Sequence, residues 1–542
     1  MYRNILTKSN AIDNIHTMKK SVVLLAINSK FIHSNPAVWL IKAGVEAFAQ
    51  AAYDVNVVEA TIHQSSDEIA DEVSAFEPDI IGVSTYIWNA SMLPDLLYVI
   101  RKRLPDIQII LGGPEAENNM EHWLSNGADY VLAGKGEYTF PAFLNGNIDL
   151  PIEMTNKSSI ELYTDEYVKA VNNRIIYFES SRGCPFNCSY CMSAETNVEF
   201  FPLETVKEQL SKLAKLDSKS IKFVDRTFNC NQKRAYELFE YVIALDTNCN
   251  FHFEVAADLF DMETINLLST APPGRIQLEI GLQSFHKPTL EAVSRKTDIK
   301  KAAGNITDLL KGKNMHIHID LIAGLPFEDL KDFKKSFEKA YKLNAHTLQL
   351  GFLKLLHGSV LRRQVEKYEI AFSQTPPYEI QSSPWLSADD IKTLKQAENA
   401  LQHTYNKCRF LRTIKYVLSV SKVPAFAFYQ ALGEAAPNHG TALDIYAEQI
   451  FAFCANLPNV DFNDLHDHMV CDWLSMVKGK NMPTILRNTD SRRKQVFQYI
   501  KEIYDHEIRR DEVRVLKSGK SVFVNNTICC PITGLYEIEL IS

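Results

Sequence analysis

Short apolar runs alternate with longer amphipathic stretches in the first quarter of the chain. The apolar runs have the length of strands and occupy residues 22–27, 55–60, 80–84, 107–112 and 130–134. Helical patterns lie between them at residues 37–50, 66–76, 91–104 and 117–125. This alternation predicts a parallel sheet that helices cover on both faces. We therefore predict a doubly wound, Rossmann-like α/β domain over residues 21–150, preceded by a polar tail over residues 1–20.

A second alternating series follows a linker of low periodicity at residues 151–170. Its apolar runs occupy residues 175–180, 221–225, 251–257, 276–283, 316–322 and 347–354. Helical patterns lie at residues 203–216, 232–245, 261–270, 299–312 and 329–343. Six such units predict a partial (β/α)6 barrel over residues 171–356, with its functional rim at the carboxyl ends of the strands.

The remaining residues, 357–542, are rich in helical patterns. Candidate helices lie at residues 387–404, 409–420, 440–455, 461–476 and 488–504. A closing β-hairpin is predicted at residues 513–524, turning on Ser518 and Gly519. We expect a helix-rich C-terminal domain, in which we find no catalytic motif.

Composition and charge restrict the kinds of partner. The chain has 542 residues, of which 46 % are hydrophobic and 23 % charged, as is typical of a soluble globular protein. Its formal net charge of −8 disfavours nucleic acid and favours a small-molecule or peptide substrate. No apolar run reaches the ~18 residues that a membrane span requires. We therefore expect no membrane insertion and a cytoplasmic location.

Three of the ten cysteines are clustered, and none precedes them in the chain. Cys184, Cys188 and Cys191 stand in the segment CPFNCSYC, directly after the first predicted barrel strand. A 4Fe-4S cluster normally takes four cysteines, so three ligands would leave one iron open to a substrate or cofactor. A structural zinc site usually needs a second ligand pair at short spacing, and none follows before Cys230. A disulfide is disfavoured in a reducing cell.

This spacing, with the aromatic Tyr190 before the last cysteine, resembles the radical S-adenosylmethionine (SAM) superfamily. The resemblance implies that SAM chelates the open iron through its amino and carboxylate groups. It also implies that an electron from the cluster cleaves SAM to methionine and a 5′-deoxyadenosyl radical. An electron donor such as flavodoxin or ferredoxin is then expected as a partner.

The pattern EIGLQSF…LEAVSRK…IDLIAGLP resembles that of the oxygen-independent coproporphyrinogen oxidases of this superfamily. The resemblance implies that SAM is bound by Tyr190, Glu254, Gln283, Ser284, Arg295 and Asp320. The alternative is that these are polar residues of the barrel interior that satisfy one another.

The segment FVDRTFNC at residues 223–230 departs from the Gly-Gly-Glu segment that superfamily members usually carry there. Asp225 or the adjoining backbone is the candidate replacement for holding the amino group of SAM. Arg226 is equally a candidate anchor for the substrate.

A doubly wound domain ahead of such a barrel resembles the cobalamin-binding arrangement. The resemblance implies cobalamin contacts from Ser84, Tyr86, Gly112, Gly113, Gly134 and Glu137. Tyr86 replaces the leucine usual at its position. The Asp-x-His-x-x-Gly signature that supplies an axial histidine is missing, so the lower ligand of cobalt, with His33 as one candidate, is left open. A flavin or a nucleotide is the competing ligand, although no glycine-rich phosphate loop follows the first strand.

The whole chain most resembles cobalamin-dependent radical SAM enzymes whose C-terminal region is a domain of unknown function (DUF4080-like). The resemblance implies a C-methyltransferase that uses SAM twice, once to methylate cobalt and once to form the radical that activates an unactivated substrate carbon. The alternatives are a cobalamin-assisted rearrangement or cyclisation without methyl transfer, and a non-catalytic iron-sulfur binding protein. A tRNA methylthiotransferase would need three further cysteines before Cys184, and there are none.

Overall fold

The structure, a computed structural model, divides into two compact units on either side of the Lys169–Ala170 junction. It describes residues 19–147, 160, 162–194, 196–216, 218, 220–478, 482–487, 491–503 and 508–541. Most of the predicted tail, 1–20, and much of the predicted linker, 151–170, lie outside the described residues. No helix among the described residues combines the length and the apolar character needed to span a membrane.

The first unit contains a five-stranded parallel sheet in the order β2-β1-β3-β4-β5. The strands are β1 (Lys20–Asn28), β2 (Tyr53–Thr61), β3 (Ile80–Ser84), β4 (Gln108–Gly112) and β5 (Tyr130–Leu132). Residues 22–27 of the interior strand β1 are fully buried, because helices cover both faces of the sheet. The predicted doubly wound fold is confirmed.

The helices of this unit are α1 (Pro36–Phe48), α2 (Ser66–Ser74), α3 (Leu93–Arg103), α4 (Pro114–Glu117), α5 (Met120–Ser125) and α6 (Gly136–Leu144). Helix α1 begins where the Asn35 side chain accepts a hydrogen bond from Ala37 N. It packs closely on α6, and the contact requires glycine at position 44. A Cβ at Gly44 would lie 2.1 Å from the carbonyl oxygen of Glu137. A further helix, α7 (Asp165–Ala170), lies in the predicted linker, and its Tyr167 packs edge-on against Trp39 of α1.

The second unit is built on an open parallel sheet in the order β13-β12-β11-β10-β9-β6. The strands from the start of this unit are β6 (Ile176–Phe178), β7 (Ser181–Cys184), β8 (Thr196–Phe200), β9 (Ser220–Phe223), β10 (Asn250–Val255), β11 (Ile276–Gln283), β12 (His316–Ala323) and β13 (Thr347–Phe352). Strands β7 and β8 form a separate antiparallel pair. The six remaining strands confirm the predicted partial barrel.

Helices alternate with these strands as the sequence predicts. They are α8 (Leu203–Leu213), α9 (Gln232–Ala244), α10 (Met262–Ser269), α11 (Lys287–Ala292), α12 (Ile299–Lys311) and α13 (Leu330–Lys342). In β11 and β12 every second residue is fully buried and the residues between are less buried. The buried positions are apolar, while the alternate positions carry most of the polar side chains. One face of the sheet therefore packs against helices while the other forms a polar barrel interior.

The helix-rich region follows with β14 (Ala371–Phe372), β15 (Ile380–Ser382), α14 (Ala388–His403), α15 (Leu411–Ser421), α16 (Ala425–Ala435), α17 (Leu443–Ala455), α18 (Phe462–Met476), α19 (Arg493–Ile503), β16 (Val513–Val515), β17 (Ser521–Cys529) and β18 (Tyr536–Ile541). Helix α16 was not predicted, because its apolar residues are spread around most of the helix and give no clear period. The predicted closing hairpin was incomplete. Strand β18 pairs with β17 and makes a three-stranded sheet.

A glycine allows α14 and α16 to cross at close range. A Cβ at Gly433 would lie 1.8 Å from the carbonyl oxygen of Gln396, which belongs to α14. We expect Gly433→Ala to destabilise the protein by roughly 1–3 kcal/mol or more, as overpacking does. Gly304 on α12 is exposed with no atom within 4 Å of such a Cβ, so Gly304→Ala should leave the thermal unfolding midpoint unchanged or raise it. Equal midpoints for the two variants would contradict the close crossing.

Candidate active site

The three clustered cysteines lie in and between two short antiparallel strands that directly follow the first barrel strand. Cys184 is the last residue of β7, and Cys188 and Cys191 lie in the loop that leads to β8. Gly183 has φ +97°, and a Cβ there would lie 2.1 Å from the carbonyl oxygen of Asn197. Only glycine fits the pairing of the two strands at this point. The cysteines therefore start from a fixed backbone.

A buried carboxylate holds the residues that lead into the cysteine loop, which is residues 184–191. Asp225 accepts hydrogen bonds from the backbone N–H of Ser180 at 2.9 Å, from its hydroxyl at 2.7 Å and from the Ser181 hydroxyl at 2.6 Å. Burial raises the pKa of Asp225, and these hydrogen bonds only partly offset the effect. The Asp225 side chain is thus hydrogen-bonded to other residues of the protein. The adjoining backbone remains the candidate for the amino group of SAM.

Backbone hydrogen bonds hold the rest of the loop. Ser189 N donates to the Val293 carbonyl at 2.9 Å, and Leu361 N donates to the Ser189 carbonyl at 2.7 Å. Within the loop, Ser193 N donates to Cys191 Sγ at 3.4 Å. An N–H group aimed at a sulfur stabilises a thiolate, which is the form that binds metal.

The cysteines are free thiols set close together in a buried environment. Cys184 and Cys188 are buried and Cys191 is half-buried. Burial raises the pKa of Cys191, the N–H of Ser193 and the charge of Arg226 oppose the shift, and the nearby thiols of Cys184 and Cys188 add to it. Metal binding must therefore displace a proton from Cys191.

Arg295 contacts one of the cysteines directly. Its Nη1 donates to Cys188 Sγ at 3.6 Å and its Nη2 donates to the Gly281 carbonyl at 2.6 Å. The structure thus brings Arg295 to the cysteine loop. Its predicted contact with the carboxylate of SAM stays a prediction.

Four buried polar atoms in or near the loop have no hydrogen-bond partner among the described residues. They are the hydroxyls of Ser189 and Tyr190, Oε1 of Gln283 and Nε of Arg295. Gln283 has φ +68° and ends β11 at an irregularity in its pairing with β12. Its side chain folds over Gly281, where a Cβ would lie 2.2 Å from Nε2. Unsatisfied buried polar atoms are costly, so these residues fit a polar ligand such as SAM, which offers hydrogen-bond donors and acceptors.

The barrel interior contains a network of charged side chains. Glu279 Oε2 lies 2.8 Å from His252 Nε2 and 3.2 Å from Lys222 Nζ. Burial acts to raise the pKa of Glu279, but the contact with His252 and the charge of Lys222 hold it at about 2. Burial and the neighbouring Glu279 raise the pKa of Glu254 to about 7. At neutral pH, Glu254 can therefore either hold or release a proton, whereas Glu279 is ionised.

Asp320 lies in the same network beside His318, with Oδ1 and Nε2 3.0 Å apart. Ligand atoms of Glu279, His318 and Asp320 lie within 4.8 Å of one another, which is close enough for a shared cation. Lys222 Nζ donates to Glu279 Oε2, so a positive charge of the protein already serves one of these three groups.

The sequence analysis did not single out four of these residues, Lys222, His252, Glu279 and His318. Polar residues at every second position of β9, β10, β11 and β12 were the signal that could have found them. Their alternation with apolar residues places them on the inner face of the barrel.

The hydroxyl of Ser284 is hydrogen-bonded within the protein. Ser284 is fully buried and donates its hydroxyl to Glu328 Oε1 at 2.7 Å, as does Ser336 of α13. The two serine hydroxyls thus link the end of β11 to α13 through Glu328, a residue that the sequence analysis did not single out. Binding of SAM by Ser284 stays a prediction.

In the first unit, the predicted cobalamin residues lie at the carboxyl ends of the strands. A Cβ at Gly113, which has φ +101°, would lie 2.8 Å from the Thr85 carbonyl oxygen, so this turn requires glycine. Ser84 is buried and accepts a hydrogen bond from Asn35 Nδ2 at 3.1 Å. Tyr86 stacks on the half-exposed Trp88 with ring centroids 4.3 Å apart.

The other three predicted cobalamin residues are Gly112, Gly134 and Glu137. Gly112, at the end of β4, accepts a hydrogen bond from Thr85 N at 2.8 Å. Gly134 has φ +83° and open space at its Cβ position, and Glu137 is buried in α6. Open space beside Gly134 and the partly exposed aromatic pair fit a large planar ligand at this edge, where doubly wound sheets bind theirs. The individual contacts stay predictions.

An open parallel barrel with three cysteines at its strand ends is the arrangement of a radical SAM domain, and the radical SAM superfamily model matches residues 178–340. The B12 binding domain model matches residues 22–144, and the model of a protein of unknown function, DUF4080, matches residues 366–522. The chain thus contains a B12-binding domain, a radical SAM domain and a DUF4080 domain, in that order. The first two domains confirm the predicted cofactors, which are a 4Fe-4S cluster, SAM and cobalamin.

Several characterised proteins resemble parts of the chain. The cobalamin-dependent radical SAM methyltransferase TokK of Streptomyces tokunonensis is 21 % identical over 332 residues, which cover 53 % of this chain and 48 % of TokK. Hopanoid C-3 methylase of Methylococcus capsulatus is 24 % identical over 242 residues, or 40 % of this chain and 47 % of the methylase. The chain thus spans about half the length of these curated relatives.

Two solved structures share the fold. The radical SAM methyltransferase TsrM of Kitasatospora setae, with cobalamin and a 4Fe-4S cluster bound, aligns with a TM-score of 0.53 at 14 % identity, covering 67 % of this chain and 79 % of TsrM. OxsB, a cobalamin-dependent SAM radical enzyme, aligns with a TM-score of 0.52 at 13 % identity, covering 83 % of this chain and 78 % of OxsB. At these identities the likeness concerns the fold.

Glu328 generates a testable pH dependence. Burial raises its pKa to about 7, although the hydroxyls of Ser284 and Ser336 act to lower it. A carboxyl group with a raised pKa in the folded state stabilises less as pH rises from its ordinary value, 4.5, through about 7. Glu328→Gln keeps an acceptor for both hydroxyls and removes the charge. The difference between its thermal unfolding midpoint and that of the wild type, variant minus wild type, should therefore increase from pH 5 to pH 8.

Glu328→Ala is the companion variant. It leaves both buried hydroxyls without their acceptor, so it should be destabilised by about 1–3 kcal/mol at either pH. A Glu328→Gln midpoint that keeps a constant difference from the wild type across this pH range would contradict the assignment.

Proposed function

We propose that the chain is a cobalamin-dependent radical SAM enzyme that methylates an unactivated carbon of a small-molecule or peptide substrate. The observation that carries the proposal is the cysteine loop. Three thiols, Cys184, Cys188 and Cys191, are fixed at the carboxyl ends of an open parallel barrel in a chain that also has a B12-binding domain. Three ligands leave one iron of a 4Fe-4S cluster open for SAM.

The candidate SAM residues divide by their contacts. Tyr190 and Gln283 each have a buried polar atom that lacks a hydrogen-bond partner among the described residues. Glu254 and Asp320 face the barrel interior, where their carboxylates can accept hydrogen bonds from ribose hydroxyls. The cluster, once loaded, supplies the electron that cleaves SAM. A flavodoxin or a ferredoxin is the proposed source of that electron.

The comparisons support methyl transfer in general terms. Relatives named as methyltransferase or methylase include TokK and hopanoid C-3 methylase. TsrM has been solved with tryptophan as its substrate, which is consistent with a small polar substrate at a fold of this kind. The charged barrel interior here, with Lys222, Glu254 and Glu279, is likewise better suited to a polar substrate than to a hydrocarbon.

A cyclisation without methyl transfer is the second candidate. The anaerobic magnesium-protoporphyrin IX monomethyl ester cyclase of Rubrivivax gelatinosus is 22 % identical over 349 residues, which cover 57 % of this chain and 62 % of the cyclase. The two reactions differ in their use of SAM, because only methyl transfer converts SAM to S-adenosylhomocysteine.

Product analysis under anaerobic, reducing conditions tests the proposal. Wild-type protein loaded with cluster and cobalamin should form both 5′-deoxyadenosine and S-adenosylhomocysteine from SAM. Cys191→Ala removes one cluster ligand and should abolish 5′-deoxyadenosine. Cys529→Ala, at an exposed cysteine outside the cysteine loop, is the matched control and should behave as the wild type does.

The alternatives give different products. Formation of 5′-deoxyadenosine without S-adenosylhomocysteine favours the cyclisation. Loaded wild-type protein that forms neither product is a non-catalytic iron-sulfur protein, and the proposal is then wrong.

A further inference from the structure

Three side chains of the kind that bind metals converge inside the barrel from two neighbouring strands. Glu279 of β11 and His318 of β12 are paired in register, and Asp320 lies two residues closer to the carboxyl end of β12. Residues two apart in a strand face the same side of the sheet, so His318 and Asp320 point the same way. One ligand atom from each residue lies within 4.8 Å of the other two. We call these three residues the interior triad.

The contact between His318 and Asp320 is close but lacks the geometry of a hydrogen bond. Nε2 and Oδ1 lie 3.0 Å apart, yet each of these buried atoms is without a hydrogen-bond partner among the described residues. The distance suits a hydrogen bond, so the direction is what fails. Two atoms that each lie about 2.1 Å from one metal ion, at a right angle, are also about 3.0 Å apart. The two atoms are therefore placed as ligands of a single ion are.

A second imidazole repeats this arrangement on Glu279. Nε2 of His252 lies 2.8 Å from Glu279 Oε2 and also has no hydrogen-bond partner in the described part of the chain. His252 is only 9 % exposed, so water does not readily replace the missing partner. An unsatisfied buried nitrogen is costly. The triad and His252 together lack a group that their own side chains do not supply.

Lys222 does not fill this place. Its Nζ donates to Glu279 Oε2 at 3.2 Å and lies 3.9 Å from Glu254 Oε1. Oε1 of Glu279 and both oxygens of Asp320 accept no hydrogen bond from the described residues. Both carboxylates of the triad therefore keep an oxygen for a cation.

We propose that the interior triad binds one divalent first-row transition-metal ion, such as Mn²⁺, through a carboxylate oxygen of Glu279, Nε2 of His318 and Oδ1 of Asp320. One imidazole with two carboxylates is a mixed nitrogen and oxygen set, which suits such ions and disfavours ions that prefer thiolates. The ion fixes the Asp320 carboxylate and leaves its second oxygen for SAM. The inference does not rest on the proposed function, because the triad is separate from the cysteine loop.

Binding of Mn²⁺ to protein loaded with cluster and cobalamin tests this site. Both cofactors are silent in electron paramagnetic resonance when oxidised, so the six-line spectrum of free Mn²⁺ reports binding. Wild-type protein should bind one Mn²⁺ per chain. Glu279→Gln removes an anionic ligand and should weaken binding at least tenfold, since loss of even an outer-shell partner costs about 10–100-fold. Glu263→Gln, at an exposed position of α10, is the matched control and should change the affinity less than threefold.

Electron spin echo envelope modulation identifies the histidine. Mn²⁺ bound to the wild type should show a 14N coupling from one imidazole, and His318→Gln should lose this coupling. His318→Gln leaves the contact between Lys222 and Glu279 in place, so it replaces Glu279→Gln if the thermal unfolding midpoint shows that the latter does not fold. A wild-type spectrum without imidazole coupling overturns the proposal.

Three further results would contradict the site. Loaded wild-type protein that binds no Mn²⁺ stoichiometrically overturns it, and a proton on His318 then accounts for the contact with Asp320. Binding that Glu279→Gln leaves unchanged overturns it as well, because the ion then lies on surface carboxylates. Displacement of Mn²⁺ by SAM would show that Asp320 does not serve both.

Iron and sulfide analysis keeps this test distinct from that of the proposed function. Wild-type protein that fails to load a cluster contradicts the proposed function only. The same Mn²⁺ titration is then made on the unloaded protein, because Mn²⁺ prefers oxygen ligands to the free thiols of the cysteine loop. One Mn²⁺ per chain, weakened tenfold by Glu279→Gln, still supports the site, and its absence still overturns it.

Discussion

The cysteine loop depends on the buried carboxylate of Asp225, which follows strand β9 and binds the two residues Ser180 and Ser181 shortly before the loop. A buried carboxylate is costly unless its oxygens accept hydrogen bonds, and those of Asp225 accept three from Ser180 and Ser181. Removing it would leave a backbone N–H and two hydroxyls without their acceptor. Three thiols can share one cluster only if their backbone is fixed, and this carboxylate fixes its first part.

Asp225 lies in the segment that lacks the Gly-Gly-Glu sequence expected from the resemblance. Its oxygens accept hydrogen bonds from Ser180 and Ser181, so the adjoining backbone stays the predicted partner of the amino group of SAM. Ser284 is bound to Glu328 in a similar way, whereas Arg295 donates to Cys188 and Gly281 and keeps its buried Nε without an acceptor among the described residues. The polar atoms left for a ligand are those of residues such as Gln283 and Tyr190, which the protein does not satisfy among the described residues.

Much of the fold could be predicted from the sequence because both sheets are parallel and buried, so their strands appear as apolar runs at regular intervals. The cysteine triad was equally visible, because its spacing is local. Helix α16 was not predicted because it is apolar on most sides. Strand β18 was not predicted because its apolar and polar residues alternate weakly and it is largely exposed. The partners of Asp225, Ser284 and Arg295 come from distant segments, and no local pattern shows which side chains will be used internally.

The central claim is that SAM binds the open iron of a cluster held by Cys184, Cys188 and Cys191. Electron-nuclear double resonance of the reduced cluster with SAM that carries 15N in its amino group tests this claim most directly. A 15N coupling of a size that requires direct bonding to iron is the predicted result. A spectrum that SAM leaves unchanged, in protein shown to contain a full 4Fe-4S cluster, would contradict it.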